Sequence, residues 1–72
     1  MKNILDVLET GYHLTGDPLD FTPSEEILAF LHKHMDGSDR YFSVLLTEIG
    51  CETTVRRIGK KVVRGRVGLL RK

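Results

Sequence analysis

The sequence predicts a small α+β domain. Three observations carry that expectation. Apolar residues recur at helical spacing in three separate segments of the first fifty residues. From Thr53 the texture changes to β-branched residues in short alternating runs. Glycine- and proline-containing turn signals separate the segments. A chain of 72 residues is expected to form one domain with one small core, spanning residues 1–72.

The first helix is expected over residues 3–10. Ile4, Leu5, Val7 and Leu8 lie at helical spacing there, and Gly11 follows as a C-terminal cap. Gly16-Asp17-Pro18 marks a turn. Leu19, Phe21 and Thr22 then suit a short extended piece. The stretch Thr22-Pro23-Ser24-Glu25 predicts the start of a second helix over residues 23–34. Thr22 is the expected N-cap, Pro23 the first helical residue, and Glu25 the third, as in a capping box. Phe21 before the cap and Ile27 near the staple position would fix how the chain enters the helix. Ile27, Leu28, Phe30 and Leu31 form its apolar face.

Met35-Asp36-Gly37-Ser38 interrupts the pattern. Gly37 is expected to take a left-handed conformation, and Ser38 to cap a third helix over residues 39–49 with Asp39 in its first turn. Phe42, Leu45, Leu46 and Ile49 are spaced i, i+3, i+4, i+7 along it, and Gly50 ends it. Thr53–Ile58 and Val62–Val67 flank Gly59-Lys60-Lys61, which predicts a hairpin over residues 53–70 with a three-residue loop. That register sets Ile58 opposite Val62 and Arg56 opposite Arg64. Two arginines face to face repel, which an anion beside them would relieve. Helix, short strand, helix, tight turn, helix and hairpin follow one another in the order of a winged helix-turn-helix, with three helices, a short strand and a C-terminal β-hairpin wing.

The net charge of +1 conceals a split. Residues 1–54 hold ten acids and only three bases, a net −7, whereas residues 55–72 hold eight bases and no acid, a net +8. Arg56, Arg57, Lys60, Lys61, Arg64 and Arg66 crowd a strand pair roughly 20 Å long at ~3.4 Å per residue. Phosphates recur at about 3.4 Å along each strand of a duplex, so such a ribbon can neutralise several of them. A solvated edge strand uses one or two charges against aggregation. Six bases without an interleaved acid point instead to DNA, duplex favoured, or to an acidic protein partner.

The third helix is the expected recognition helix. Arg40, Ser43, Val44 and Thr47 lie away from its apolar stripe, with Tyr41 and Glu48 at the margins. Arg40, Tyr41 and Ser43 occupy the N-terminal half that reaches base edges in such motifs, with Arg40 suited to guanine and Ser43 and Thr47 to phosphate or base. Asp39 and Glu48 would repel phosphates.

Other chemistries find little support. His32 and His34 stand two apart and do not share a helix face. No CxxC or HxxxH spacing occurs with His13 or Cys51, so no metal or other cofactor is expected. Cys51 has no nucleophile-activating partner, and the acids are scattered at helix starts and turns, so the chain reads as a non-enzyme. One cysteine makes no internal disulfide, which suits a reducing, cytoplasmic location. No apolar run approaches the ~20 residues of a membrane-spanning helix, and Met1–Asp6 is too acidic and interrupted for a signal peptide. The oligomeric state is left open.

Leu19–Lys72 resembles the winged-helix module at the C-terminus of phage, plasmid and poxvirus-type primase-helicases. The residues that carry the resemblance are Phe42-Ser43 with Leu46 and Gly50, then Val55 through Gly65, and Gly68-Leu69-Leu70. The resemblance implies DNA engagement in replication initiation or origin recognition, with Arg56, Arg57, Lys60, Lys61, Arg64 and Arg66 on the DNA backbone. The charge split separately admits a protein partner, with the basic hairpin docking onto an acidic member of a replication or transcription complex. The third helix is more acidic and apolar than a dedicated reader in such modules.

Overall fold

The computed structural model describes residues 3–72. In chain order the elements are α1 (Ile4–Glu9), β1 (Tyr12–Leu14), β2 (Phe21–Pro23), α2 (Ser24–His34), α3 (Asp39–Glu48), β3 (Thr53–Ile58), β4 (Lys61–Val67) and β5 (Leu69–Arg71). They make an α+β fold with two antiparallel sheets, one ordered β2-β4-β3 and the other β1-β5.

α1 starts where the Asn3 side chain accepts the Asp6 N–H at 2.9 Å. It buries Ile4, Val7 and Leu8. Gly11 does not form the predicted left-handed cap. Thr10 closes the helix in a right-handed conformation, and Gly11 lies against Phe30, whose ring would collide with any Cβ there. The chain then enters β1, which sequence periodicity does not reveal because three residues are too few to show a period. Tyr12 pairs with Arg71 and Leu14 with Leu69. Gly68, at φ +86°, lets the chain leave β4 and join β1, and its carbonyl accepts the N–H groups of Thr15 and Gly16 at 2.9 and 3.1 Å.

The start of α2 differs from the expected capping box. Pro23 is the N-cap, with no side-chain cap bond, and the helix begins at Ser24. Thr22 lies within β2, where alternation turns it inward. Its hydroxyl donates to the Leu69 carbonyl at 2.8 Å. Phe21 points to the other side of that strand, where its ring packs on Gly65 and under Arg56. Glu25 and Glu26 in the first turn of α2, and His32, Lys33 and His34 in the last, complement the helix dipole.

The turn into α3 is held by two contacts. The Ser38 hydroxyl accepts the Tyr41 N–H at 3.1 Å, as expected of a cap, and His32 Nε2 lies 2.5 Å from Asp39 Oδ1. Gly37 is not left-handed. The rings of Tyr41 and Phe42 lie against it and leave no room for a side chain. At the far end, Gly50 takes φ +93°. The N–H groups of Gly50 and Cys51 reach back to the carbonyls of Thr47 and Leu46 at 3.1 and 3.0 Å, a Schellman motif.

The hairpin register is one residue away from the predicted one. Gly59 at φ +63° permits a two-residue loop, Gly59-Lys60, instead of three residues. Ile58 therefore faces Lys61, Arg56 faces Val63, and Val55 faces Arg64. Arg56 and Arg64 stand on opposite faces of the ribbon, so the repulsion expected between them does not arise.

One core unites these elements. Ile4, Val7 and Leu8 of α1 meet Ile27 and Leu31 of α2 and Phe42 and Leu46 of α3, closed by Tyr12, Cys51 and Leu69. Among the described residues, no helix is long and apolar enough to cross a membrane. Leu46→Ala, at a position 1% exposed, is expected to cost ~2–5 kcal/mol in urea unfolding followed by helical circular dichroism. A near-zero cost would mean that α3 is not packed in this way.

Candidate nucleic-acid interface

Register assigns the hairpin's bases to faces, because directly paired residues point to the same side. Arg57 and Arg64 share an inner face with Val55 and Val62, and that face runs down the ribbon to Arg66 and Thr22. Arg56 and Lys61 lie on the outer face with Ile58 and Val63. Arg57, Lys60, Lys61 and Arg64 are exposed, and among the described residues none of them forms an ion pair.

The other predicted contacts are placed differently. Arg56 braces the hairpin from outside: its Nη2 donates to the Pro18 carbonyl at 3.0 Å, and its guanidinium lies 5.0 Å from the centre of the Phe21 ring. Arg66 is only 4% exposed. Its Nη1 donates to the Cys51 carbonyl at 2.7 Å and to the Thr47 hydroxyl at 3.1 Å, and its Nη2 donates to the Ser43 carbonyl at 3.2 Å. With these donors engaged inside the fold, Arg66 ties the base of the hairpin to α3 and is not presented to a phosphate. The last turn of α3 contains no base of its own. Arg66 supplies the missing cation at the negative end of that helix, a need that the helix's own composition signals. In the C-terminal segment, Arg71 pairs with Glu26 at 2.8 Å, so its charge is matched on a side chain of α2.

On α3, Arg40, Ser43, Val44, Thr47 and Glu48 line a shallow depression of about 310 Å³. All five were expected on the outward face or at its margin, and they lie together. Tyr41 turns aside onto Gly37 and Phe42. The Thr47 hydroxyl donates to the Ser43 carbonyl at 3.0 Å while accepting from Arg66, so it is engaged internally. Val44 is 50% exposed in the middle of the face. Beneath the surface, Arg66 links this face to the inner face of the hairpin.

The histidines and the cysteine are held elsewhere. His32 is bound to Asp39, the His34 ring lies 4.5 Å from that of Phe30, and His13 is exposed. Among the described residues no three His, Cys, Asp or Glu side chains group as metal ligands. Burial pushes the Cys51 thiol above its ordinary range, opposed by the nearby Arg66 charge. Burial, assisted by Glu26, likewise raises the Tyr12 phenol. Desolvation lowers Arg66, which nonetheless stays charged because guanidinium is so strong a base.

Compared with protein-family models, curated proteins and solved structures, the chain matches none.

Arg66→Met keeps the stem but leaves the buried Cys51 carbonyl without the guanidinium donor. It is expected to lower unfolding stability by about 1–3 kcal/mol, whereas Arg64→Met should stay within about 0.5 kcal/mol. Equal effects in urea titration would contradict the assignment. Cys51 and Tyr12 hold their protons longer in the folded than in the unfolded chain. The stability they contribute is therefore complete below the unfolded pKa and is lost as pH rises through the folded value. Melting temperature should fall as pH passes 9.0, the ordinary thiol value, and Cys51→Ala should move the onset toward 10.0, the ordinary phenol value.

Proposed function

We propose that the chain is a winged helix-turn-helix domain that binds duplex DNA, with the hairpin as its wing and α3 as its recognition helix. The order of the elements supports this reading, as does the sheet order β2-β4-β3, in which the strand before α2 pairs with the second strand of the hairpin. The observation that carries it is the wing itself: Arg57, Lys60, Lys61 and Arg64 are exposed with no acid among them. Neutralising phosphates with such a group releases counterions and holds the protein on any duplex. The resemblance to primase-helicase modules favours replication initiation or transcription in a phage or other mobile element as the setting. Catalysis has no part in the proposal.

A second reading has one observation in its favour. Val55, Ile58 and Val62 are each more than half exposed on the wing. Apolar residues interleaved with bases also suit docking onto an acidic protein partner. Fold alone does not choose between the two, since function lies in the site.

Mobility shifts on duplex, forked and single-stranded probes at two salt concentrations test the proposal. Four wing cations predict a log–log salt slope of about −3 to −4, hence roughly a hundredfold loss between about 50 and 200 mM salt. Arg57→Ala with Arg64→Ala should flatten that slope by about 2. Absence of binding at low salt would reject DNA and favour the acidic partner.

A further inference from the structure

The wing and α3 present different chemistry to a duplex. The wing's exposed charged side chains are all cationic, with no acid among them. The outward face of α3 carries one cation, Arg40, and one anion, Glu48, so phosphates offer it no net attraction. The Thr47 hydroxyl is engaged with Ser43 and Arg66. The groups left at the depression are Arg40, Ser43, Val44 and Glu48, with a branched apolar side chain half exposed at the centre.

That order of groups has a counterpart in the major groove. Arginine pairs with guanine O6 and N7, an apolar side chain packs on the thymine methyl, and a carboxylate accepts from the cytosine amino group. A phosphate would give Val44 nothing and would repel Glu48. We infer that α3 is a sequence reader in which Arg40 takes a guanine, Val44 a thymine methyl and Glu48 a cytosine amino group. This rests on the reading of the chain as a duplex-binding domain. Arg40, Val44 and Glu48 are successive fourth residues, about 6 Å apart along the axis at ~1.5 Å per residue. Base pairs rise about 3.4 Å, so the guanine and the thymine stand about two base pairs apart. Affinity and specificity thereby divide. The wing supplies the salt-dependent grip, and Arg66 holds the C-terminal half of α3 beside it.

The experiment uses the full chain and a random duplex pool at low salt, followed by deoxyuridine replacement in the enriched site. The expected result is a site with a guanine and a thymine about two pairs apart. Removing the thymine methyl should cost about fourfold in affinity for the wild type, as expected for one buried methyl-sized group, and nothing for Val44→Ala. Val44→Ala should keep both the helical circular dichroism and the salt slope. Arg40→Ala should relax the guanine preference. Salt-dependent binding without enrichment, or with indifference to the methyl in the wild type, would overturn the reader while leaving the duplex-binding proposal standing. No duplex binding at low salt would overturn both.

Discussion

The buried guanidinium of Arg66 is the constraint on which the arrangement of hairpin and third helix depends. Removing a cation from water costs several kcal/mol unless its donors are matched. Among the described residues no carboxylate bonds to it. The Ser43 carbonyl in the middle of α3, the Thr47 hydroxyl near its end and the Cys51 carbonyl beyond it do so, on the side of the helix dipole's negative end. The Arg66 side chain spans from β4 to those acceptors and so links the hairpin to α3. Thr22 is paired with Arg66 across β2 and β4, and its hydroxyl reaches Leu69 at the start of β5. One register therefore joins the two sheets and the third helix. A lysine at position 66 would lack the planar fork that serves three acceptors at once.

The same constraint changes the meaning of the charge split. Eight bases in residues 55–72 suggest a uniformly basic wing and tail. In the fold, Arg66 is interior, Arg56 is braced on Phe21 and Pro18, and Arg71 is matched by Glu26. Among the described residues of this segment, Arg57, Lys60, Lys61 and Arg64 stay exposed and unpaired on the distal hairpin, with Lys72 at the end of the chain. α3, by contrast, is nearly neutral on its outward side. The molecule separates a cationic projection from a helix face with mixed chemistry, and the proposed division between grip and readout grows out of that separation.

Legibility in the sequence followed the range of each interaction. Ser38 as a cap, Gly50 as a stop and the Phe42–Leu46 stripe rest on neighbours within a few residues, and all three appear in the structure as expected. Thr22 looked like a cap by the same local logic. A partner 47 residues away, the Leu69 carbonyl, took its hydroxyl instead. Gly11 and Gly37 were expected to supply positive φ, yet each is required by an aromatic ring packed against it. The outward residues of α3 could be listed from spacing alone, whereas the engagement of the Thr47 hydroxyl and the lean of the Tyr41 ring toward Gly37 could not.

By itself, the sequence determined the three helices, the change to β structure after Thr53, and the concentration of bases on a hairpin. Periodicity, capping and turn preference are local properties of the chain, and they suffice for these. Only the tertiary structure decided the hairpin register, the existence of β1 and the fate of each arginine. A one-residue difference in loop length exchanges the two faces of a ribbon. Whether a guanidinium meets solvent, an aromatic ring or the end of a helix depends on elements that come together only when the core closes.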